Sequence, residues 1–341
     1  MQKKDVGLLV LVLVVGAVVA AINPRFLSPI NLANTANLIG LFGLFSVAEA
    51  FVIVTGGIEL SVGSVIALLG VIFVDLIVNH DVPWPLATLI VICIGAVMGV
   101  IHGFLITRLK LQPFVVTLCG LLIYRGIARF YTADGTAGFS FGDSFPMLEW
   151  VVSGRTGGVP HSIMAFAVVA AVAWFTLHRT VFGRHLFAVG KNEEAARYAG
   201  IDSTRVIVLA YVICLVLTAV SAVFFAMYTR SIQPSSHGNF YELYGIAAAV
   251  LGGFSLRGGE GSIIGVVLGV VLLQELQNLV NLLGIPSSLN FAVMGSVILI
   301  GVIADTQIDR YRQRRRQALG LSMLNADGSG AGELGLTGGK Q

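Results

Sequence analysis

Ten apolar stretches, most of them about twenty residues long, follow one another along this chain with only short polar segments between them. A helix needs about 20 apolar residues to cross the hydrocarbon core of a bilayer, and fewer where glycine breaks it or neighbours enclose it. The stretches are 7–22, 37–55, 62–79, 85–107, 113–131, 162–178, 206–228, 244–256, 262–283 and 289–304. The eighth is short. With 56% hydrophobic and 11% charged residues, against roughly a quarter charged in soluble domains, the chain has lipid as its main solvent. The expected fold class is therefore all-α, a polytopic integral membrane protein with about ten transmembrane helices.

Positive charge tests the alternation of sides, because Lys and Arg accumulate in cytoplasmic loops. If the amino terminus lies inside, sixteen of the twenty-one Lys and Arg residues fall in cytoplasmic segments, whereas the outer segments hold only Arg25, Arg155 and Arg230. Both termini are thus expected in the cytoplasm. The stretch 7–22 has no convincing small-x-small cleavage site after it and reads as a retained span. Residues 1–304 form the expected transmembrane domain, with a cytoplasmic loop at 179–205, and 305–341 form a basic anchor followed by a glycine-rich tail expected to be disordered.

A net charge of +3 gives no footprint for nucleic acid. Cys93, Cys119 and Cys214 all lie in apolar runs without metal-ligand spacing and read as small apolar fillers, so neither a metal nor a cofactor is expected. Two enzyme-like patterns fail on context. Gly138 to Gly142 has nucleophile-elbow spacing but lies in an outer loop without a strand-turn-helix, and Gly190-Lys191 lacks both the earlier glycine and the following Ser or Thr of a phosphate loop. No catalytic residue is assigned.

Three groups of residues carry more information. The junction Thr55-Gly56-Gly57-Ile58-Glu59-Leu60-Ser61 joins two apolar runs; paired glycines let the backbone leave helical geometry, and the polar side chains can bind the groups thereby freed. It reads as a tight turn or as a broken-helix element beside a polar pathway. A second glycine-rich junction runs from Gly252 to Gly261 and has the look of an internal repeat. Ionisable residues within spans are functional candidates because burying them is costly; Glu49, Asp75, His102, Arg125 and Glu275 qualify, with Gln274 and Asn278 adding polarity beside Glu275. A neutralising pair such as Glu49 with Arg125 is the structural alternative. Glycines repeat every fourth residue at Gly95, Gly99 and Gly103 and at Gly261, Gly265 and Gly269, spacing that favours close helix packing within the bundle.

The cytoplasmic loop holds a short helix with marked ends. Asn192 is a good cap, Glu193 and Glu194 sit where the helix dipole favours acids, Ala195, Ala196 and Arg197 are helix formers, and Gly200 is a natural stop. A helix so short is marginal in water alone and is expected to lie against the membrane or a partner.

Together, the Gly183 to Ile201 segment, the GGIELSVGS junction at 56–64, LKLQPFVVTL at 109–118 and NPRFLSPINL at 23–32 resemble the ribose-type permeases of bacterial ABC importers, over about residues 23–304. The resemblance implies a type II-like importer bundle in the bacterial inner membrane, paired with a second permease copy or paralogue. A periplasmic binding protein would feed it and a cytoplasmic ATPase would drive it. Gly190 and the residues Asn192 to Gly200 would then form the coupling helix that docks on the ATPase, with Glu49, Thr55, Gly56, Gly57, Glu59, Ser61, His102, Gln274, Glu275 and Asn278 on the pathway or its gate. Three positions depart from the family pattern: Glu59 stands for an aspartate, His102 for an asparagine and Glu49 for a small residue. The cargo is expected to be a monosaccharide, with nucleosides, branched-chain amino acids or a furanone signal as alternatives, and an ion-coupled carrier as the rival mechanism.

Overall fold

The computed structural model describes residues 3–286 apart from Phe141, with isolated positions between 289 and 299. Helices α1 (Lys3–Ile22), α2 (Pro29–Ile53), α3 (Val62–Val78), α4 (Trp84–Thr107) and α5 (Pro113–Tyr131) come first, with a 3-10 turn at Pro24–Leu27. The strand β1 (Ala137–Gly138), helix α6 (Pro146–Ser153) and the hairpin of β2 (Arg155–Thr156) and β3 (Val159–Pro160) lead to α7 (His161–Arg179), α8 (Val181–Lys191) and α9 (Glu193–Tyr198). Then follow α10 (Ser203–Thr229), β4 (Ser231–Ile232), α11 (Tyr241–Leu251) and α12 (Ile263–Leu282). β1 pairs antiparallel with β4, and β2 with β3.

Seven of these helices are long and apolar enough to span a bilayer, and α3 and α11 are shorter apolar helices. They fall on nine of the ten expected runs. The tenth run lies largely outside the described residues, as do the basic cluster and the tail. The chain divides into units Met1–Asn290 and Phe291–Gln341, and this architecture belongs to the first; within the second, Ser296 Oγ donates to the Ala292 carbonyl at 2.8 Å.

Local chemistry sets the helix ends. α2 starts eight residues earlier than its apolar run because Ser28 caps it, accepting from Asn31 N, and Pro29 takes the first turn, where its missing N–H costs nothing. α11 stops at Leu251, short of the expected 256, where Gly253 turns at φ 89°. α8 was not anticipated; it continues the loop after α7, capped by Thr180.

Burial follows the membrane's logic. α1 is apolar almost throughout, yet Val6, Val10, Leu11, Leu13, Val14, Val18 and Ile22 are exposed, whereas α2 is buried from Leu44 to Ile53. Lipid solvates the first; the second forms the hub against α7, α10, α11 and α12. Both glycine stripes pack inside the bundle. A Cβ at Gly99 would come within 2.6 Å of Val212 Cα in α10, and one at Gly103 within 2.6 Å of Val208 Cα, while Gly265 and Gly269 abut the carbonyls of Gly252 and Ala248. Of the cysteines only Cys214 fills the core; Cys93 and Cys119 are exposed on the bundle's flank.

Contacts between distant segments separate two faces. On one, Gly259 N donates to the Val54 carbonyl at 2.8 Å, and Ile263 N donates to His178 Nε2 at 3.3 Å. On the other, Tyr131 Oη donates to Asp75 at 2.6 Å, Arg230 pairs with Glu149 at 2.7 Å, and Ser162 Oγ donates to Asn37 at 2.5 Å. Segments that the charge pattern assigns to one side meet one another, as an up-and-down bundle requires.

Candidate functional site

The chain leaves α2 through a turn in which Thr55 Oγ1 donates to the Val52 carbonyl at 2.7 Å and Gly56 takes φ 80°. α3 then begins at Val62 after Ser61, whose own side chain caps nothing. Glu59 reaches into this gap: its Oε1 accepts from Ser61 N at 2.8 Å and Ser61 Oγ at 2.5 Å. Its Oε2 lies 2.7 Å from His102 Nδ1, and His102 Nε2 lies 2.9 Å from the Tyr124 hydroxyl. Glu59 is 0% and His102 2% exposed. With Nδ1 donating to Glu59 and Nε2 accepting from Tyr124, every polar atom of the imidazole is satisfied, as a buried network demands. Tyr211 closes the group from α10, donating to the Ile58 carbonyl at 3.2 Å.

Glu49, Gln274, Glu275 and Asn278 share no hydrogen bond with this network, although the Glu49 carboxyl is close enough to feel the Glu59 charge. Glu49 is completely buried in α2, and neither carboxylate oxygen has a hydrogen-bond partner among the described residues. It does not pair with Arg125, whose Nη1 donates instead to the carbonyls of Pro234 and His237 at 2.9 and 2.6 Å. On α12, Gln274 lies with Phe42, Ser46 and Tyr244 around a small void. Asn278 exchanges two hydrogen bonds with Asn31, at 3.1 and 2.8 Å. Glu275 points the other way, toward Gly16 of α1. Asp75, bound by Tyr131 and Asn79, belongs to the outer rim.

On the opposite side of the Glu59 turn stands the short helix. Asn192 ends α8 and caps α9, its Oδ1 accepting from Ala195 N at 2.9 Å. Gly200 ends the segment at φ 84°. Both ends match the sequence reading. Only Ala196 is buried within α9; Glu194, Arg197 and Tyr198 line an open depression, and Tyr198 is 93% exposed. Glu193 turns inward, accepting from Ser203 Oγ at 2.9 Å.

Two arrangements connect α9 to the buried network. A cavity of about 320 Å³ is lined by Glu193, Thr55, Gly56, Gly57, Thr107 and Tyr211 among others. Beside it, three glycine-bearing segments meet backbone to backbone: a Cβ on Gly190 would fall on the Val54 carbonyl oxygen and within 2.5 Å of Gly259 N, and one on Gly258 would come within 2.6 Å of Gly56 N. Lys191 pairs with Glu260 over this contact at 2.9 Å. The two glycine-rich junctions that looked like repeats are thus packed on each other and on the end of α8. Tyr124, Tyr211 and this three-way contact escaped the sequence reading, because nothing local to them marks their partners.

A lipid-solvated bundle that encloses a polar network, with an exposed capped helix tied to that network on one face, defines a polytopic membrane permease. The family model described as branched-chain amino acid transport system / permease component matches residues 31–302. The ribose import permease protein RbsC of Escherichia coli (strain K12) is 35% identical over 306 residues, covering 90% of this chain and 94% of that one. RbsC of Bacillus subtilis (strain 168) is 39% identical over 299 residues, 88% and 90% of the two chains. The autoinducer 2 import system permease protein LsrD of Escherichia coli O9:H4 (strain HS) is 32% identical over 305 residues, again 88% and 90%. No solved structure matches. The chain belongs to this family of ABC-importer permeases and is a multi-pass protein of the bacterial inner membrane.

Proposed function

We propose that this permease carries a monosaccharide inward, and that a separate cytoplasmic ATPase supplies the free energy through α9. A periplasmic binding protein delivers the sugar, and a second permease copy or paralogue completes the path. The observation that carries the reading is the connection from the exposed α9 face, through the cavity beside Glu193, to the buried Glu59, Ser61 and His102 network. The relatives named ribose import permease favour a sugar over the autoinducer that LsrD is named for and over branched-chain amino acids.

The mechanism follows from rigid contacts. Closure of the ATPase pushes α9; the end of α8 cannot move without displacing Val54 and Gly259, because no side chain cushions these backbones. The 54–61 turn shifts with them and carries Glu59 and Ser61 against His102. The path then changes side by repacking between two arrangements of the bundle. Thr55, Gly56 and Gly57 serve as the hinge of this step, with Glu49 and Gln274 on the path walls. Asn278 holds α12 against the start of α2, and Glu275 stands at the edge of the pathway.

The test is reconstitution with the ATPase and binding protein encoded alongside the permease, followed by uptake of labelled ribose. Uptake should require ATP hydrolysis, and Glu194→Lys should abolish it while membrane insertion stays intact. Normal uptake by this variant would sink the coupling assignment. Uptake that persists without ATP and stops when the proton gradient collapses would favour an ion-coupled carrier, with Glu49 and Glu275 as its groups.

A further inference from the structure

The segment between β4 and α11, Gln233-Pro234-Ser235-Ser236-His237-Gly238-Asn239-Phe240, is irregular and lies deep in the bundle. Its depth can be read from its contacts. At the outer rim Tyr131 binds Asp75. Ile232 packs on Gly70, in the middle of α3, and Gly238 packs against Gly63, in the first turn of α3. Gly63 precedes Asp75 by twelve residues on one helix, so Gly238 sits about 18 Å below the rim at 1.5 Å per residue. Arg125, six residues before Tyr131 on α5, holds the segment at the Pro234 and His237 carbonyls. The hydrocarbon core is only about 30 Å thick, which puts these turns near its middle.

At that depth the segment is not covered. Ser235, Ser236 and Asn239 are exposed, and no hydrogen bond joins the Ser236 hydroxyl or the Asn239 side-chain oxygen to any described residue. Nε2 of His237 is enclosed yet also unpartnered. Irregular backbone with open polar side chains does not face lipid tails, since each unsatisfied group there costs several kcal/mol; it is tolerated only where it lines water or another protein surface.

We infer that residues 233–240 line the aqueous path through the permease, and that Ser235, Ser236 and Asn239 offer their hydroxyls and amide to a neutral polyol. The segment itself carries no acidic, lysine or arginine side chain; Arg125 commits only Nη1 to the Pro234 and His237 carbonyls, and its charge is opposed by the buried Glu242 carboxylate beside Gly63. Arg125 and Glu242 offset each other, so the segment presents no uncompensated charge to a charged cargo, whereas sugar hydroxyls find both donors and acceptors. This inference rests on the monosaccharide reading for its cargo but not for the wet path.

The experiment is cysteine labelling in the assembled transporter in cells. In a parent lacking Cys93, Cys119 and Cys214, Ser236→Cys and Asn239→Cys are compared with Val168→Cys on α7, which is exposed on the bundle flank. The probe is a charged, membrane-impermeant methanethiosulfonate. A water-facing cysteine ionises and reacts, while one in lipid does not, so the segment variants should react at least about tenfold faster than Val168→Cys. D-ribose under turnover should slow that reaction severalfold. Reaction as slow as at Val168→Cys overturns the wet path. Fast reaction that ribose leaves unchanged, in a parent that still takes up ribose, overturns the sugar contact. If the parent takes up no monosaccharide, the proposed cargo fails, and the labelling rates still decide whether the segment faces water.

Discussion

His102 Nδ1 lies 2.7 Å from Glu59 Oε2, and both side chains are almost wholly shielded from solvent. Both are positions that the sequence marks as expected departures from the pattern it resembles, and the structure makes them direct partners.

Removing one partner of a buried pair leaves the other uncompensated. His102→Ala leaves the buried carboxylate short of a donor and should cost about 3–5 kcal/mol of stability, whereas Glu59→Ala leaves a neutral imidazole N–H unpaired and should cost about 1–3 kcal/mol. The double substitution Glu59→Asp with His102→Asn should be milder than the sum of its singles, by about 0.5–3 kcal/mol, because the two sites share one interaction. Thermal unfolding of the four proteins in one detergent measures the coupling; additive losses would refute it.

At Gly190 even a methyl group would strike the Val54 carbonyl, whereas at Gly200 it meets open space and suffers only from the positive φ. Gly190→Ala should therefore nearly abolish uptake. Gly200→Ala should cost about 1 kcal/mol at the end of α9 and leave most transport in place. Comparing initial uptake rates at equal membrane abundance checks the contrast, and equal rates would remove the three-way backbone contact from the mechanism.

The Asn31–Asn278 amide pair fastens α12 to the start of α2. Interhelical hydrogen bonds in bilayers average about 0.6 kcal/mol and reach about 1.7, so Asn278→Ala should lower stability by that much. If the amide only fastens helices, the KM for sugar should not move. A raised KM at unchanged stability would assign Asn278 to the path instead.

Outside the membrane, the Arg230 guanidinium donates to Glu149 and holds its carboxyl below the usual carboxylate range. Protonation therefore favours the separated state: the contact is complete above the ordinary carboxylate pKa of about 4.3 and is lost as pH falls through the lowered folded value. Trp150 lies beside Glu149 on α6. In a protein whose Trp84 and Trp174 are replaced by Phe, and whose His161 beside the Trp150 ring is replaced by Gln, its fluorescence should be flat from pH 8 to about 5 and change only in more acid solution. The change should be absent in Glu149→Gln.

Signals carried within a few residues were legible. Apolar runs announced nine helices; Asn192 and Gly200 marked the ends of α9 through a cap three residues long and a positive φ; and the glycine stripes announced close packing. α8 was missed because its apolar face is short and follows α7 directly. Among the polar residues, the sequence showed that Glu49, His102 and Arg125 lie in spans, but not what they meet.

What the sequence by itself determined is the solvent of this protein, the order and approximate extent of its spans, the sides its loops favour and the family it resembles. Each rests on length, composition or neighbours within a helical turn, where local physics suffices. The tertiary structure alone decided that Glu59 meets His102 across 43 residues, that Arg125 grips the segment at His237 across 112, and that Asn31 meets Asn278 across 247. It also brought Val54, Gly190 and Gly259 into one contact. In lipid these pairings are chosen by which helices pack together and at what depth, and no local pattern encodes that depth.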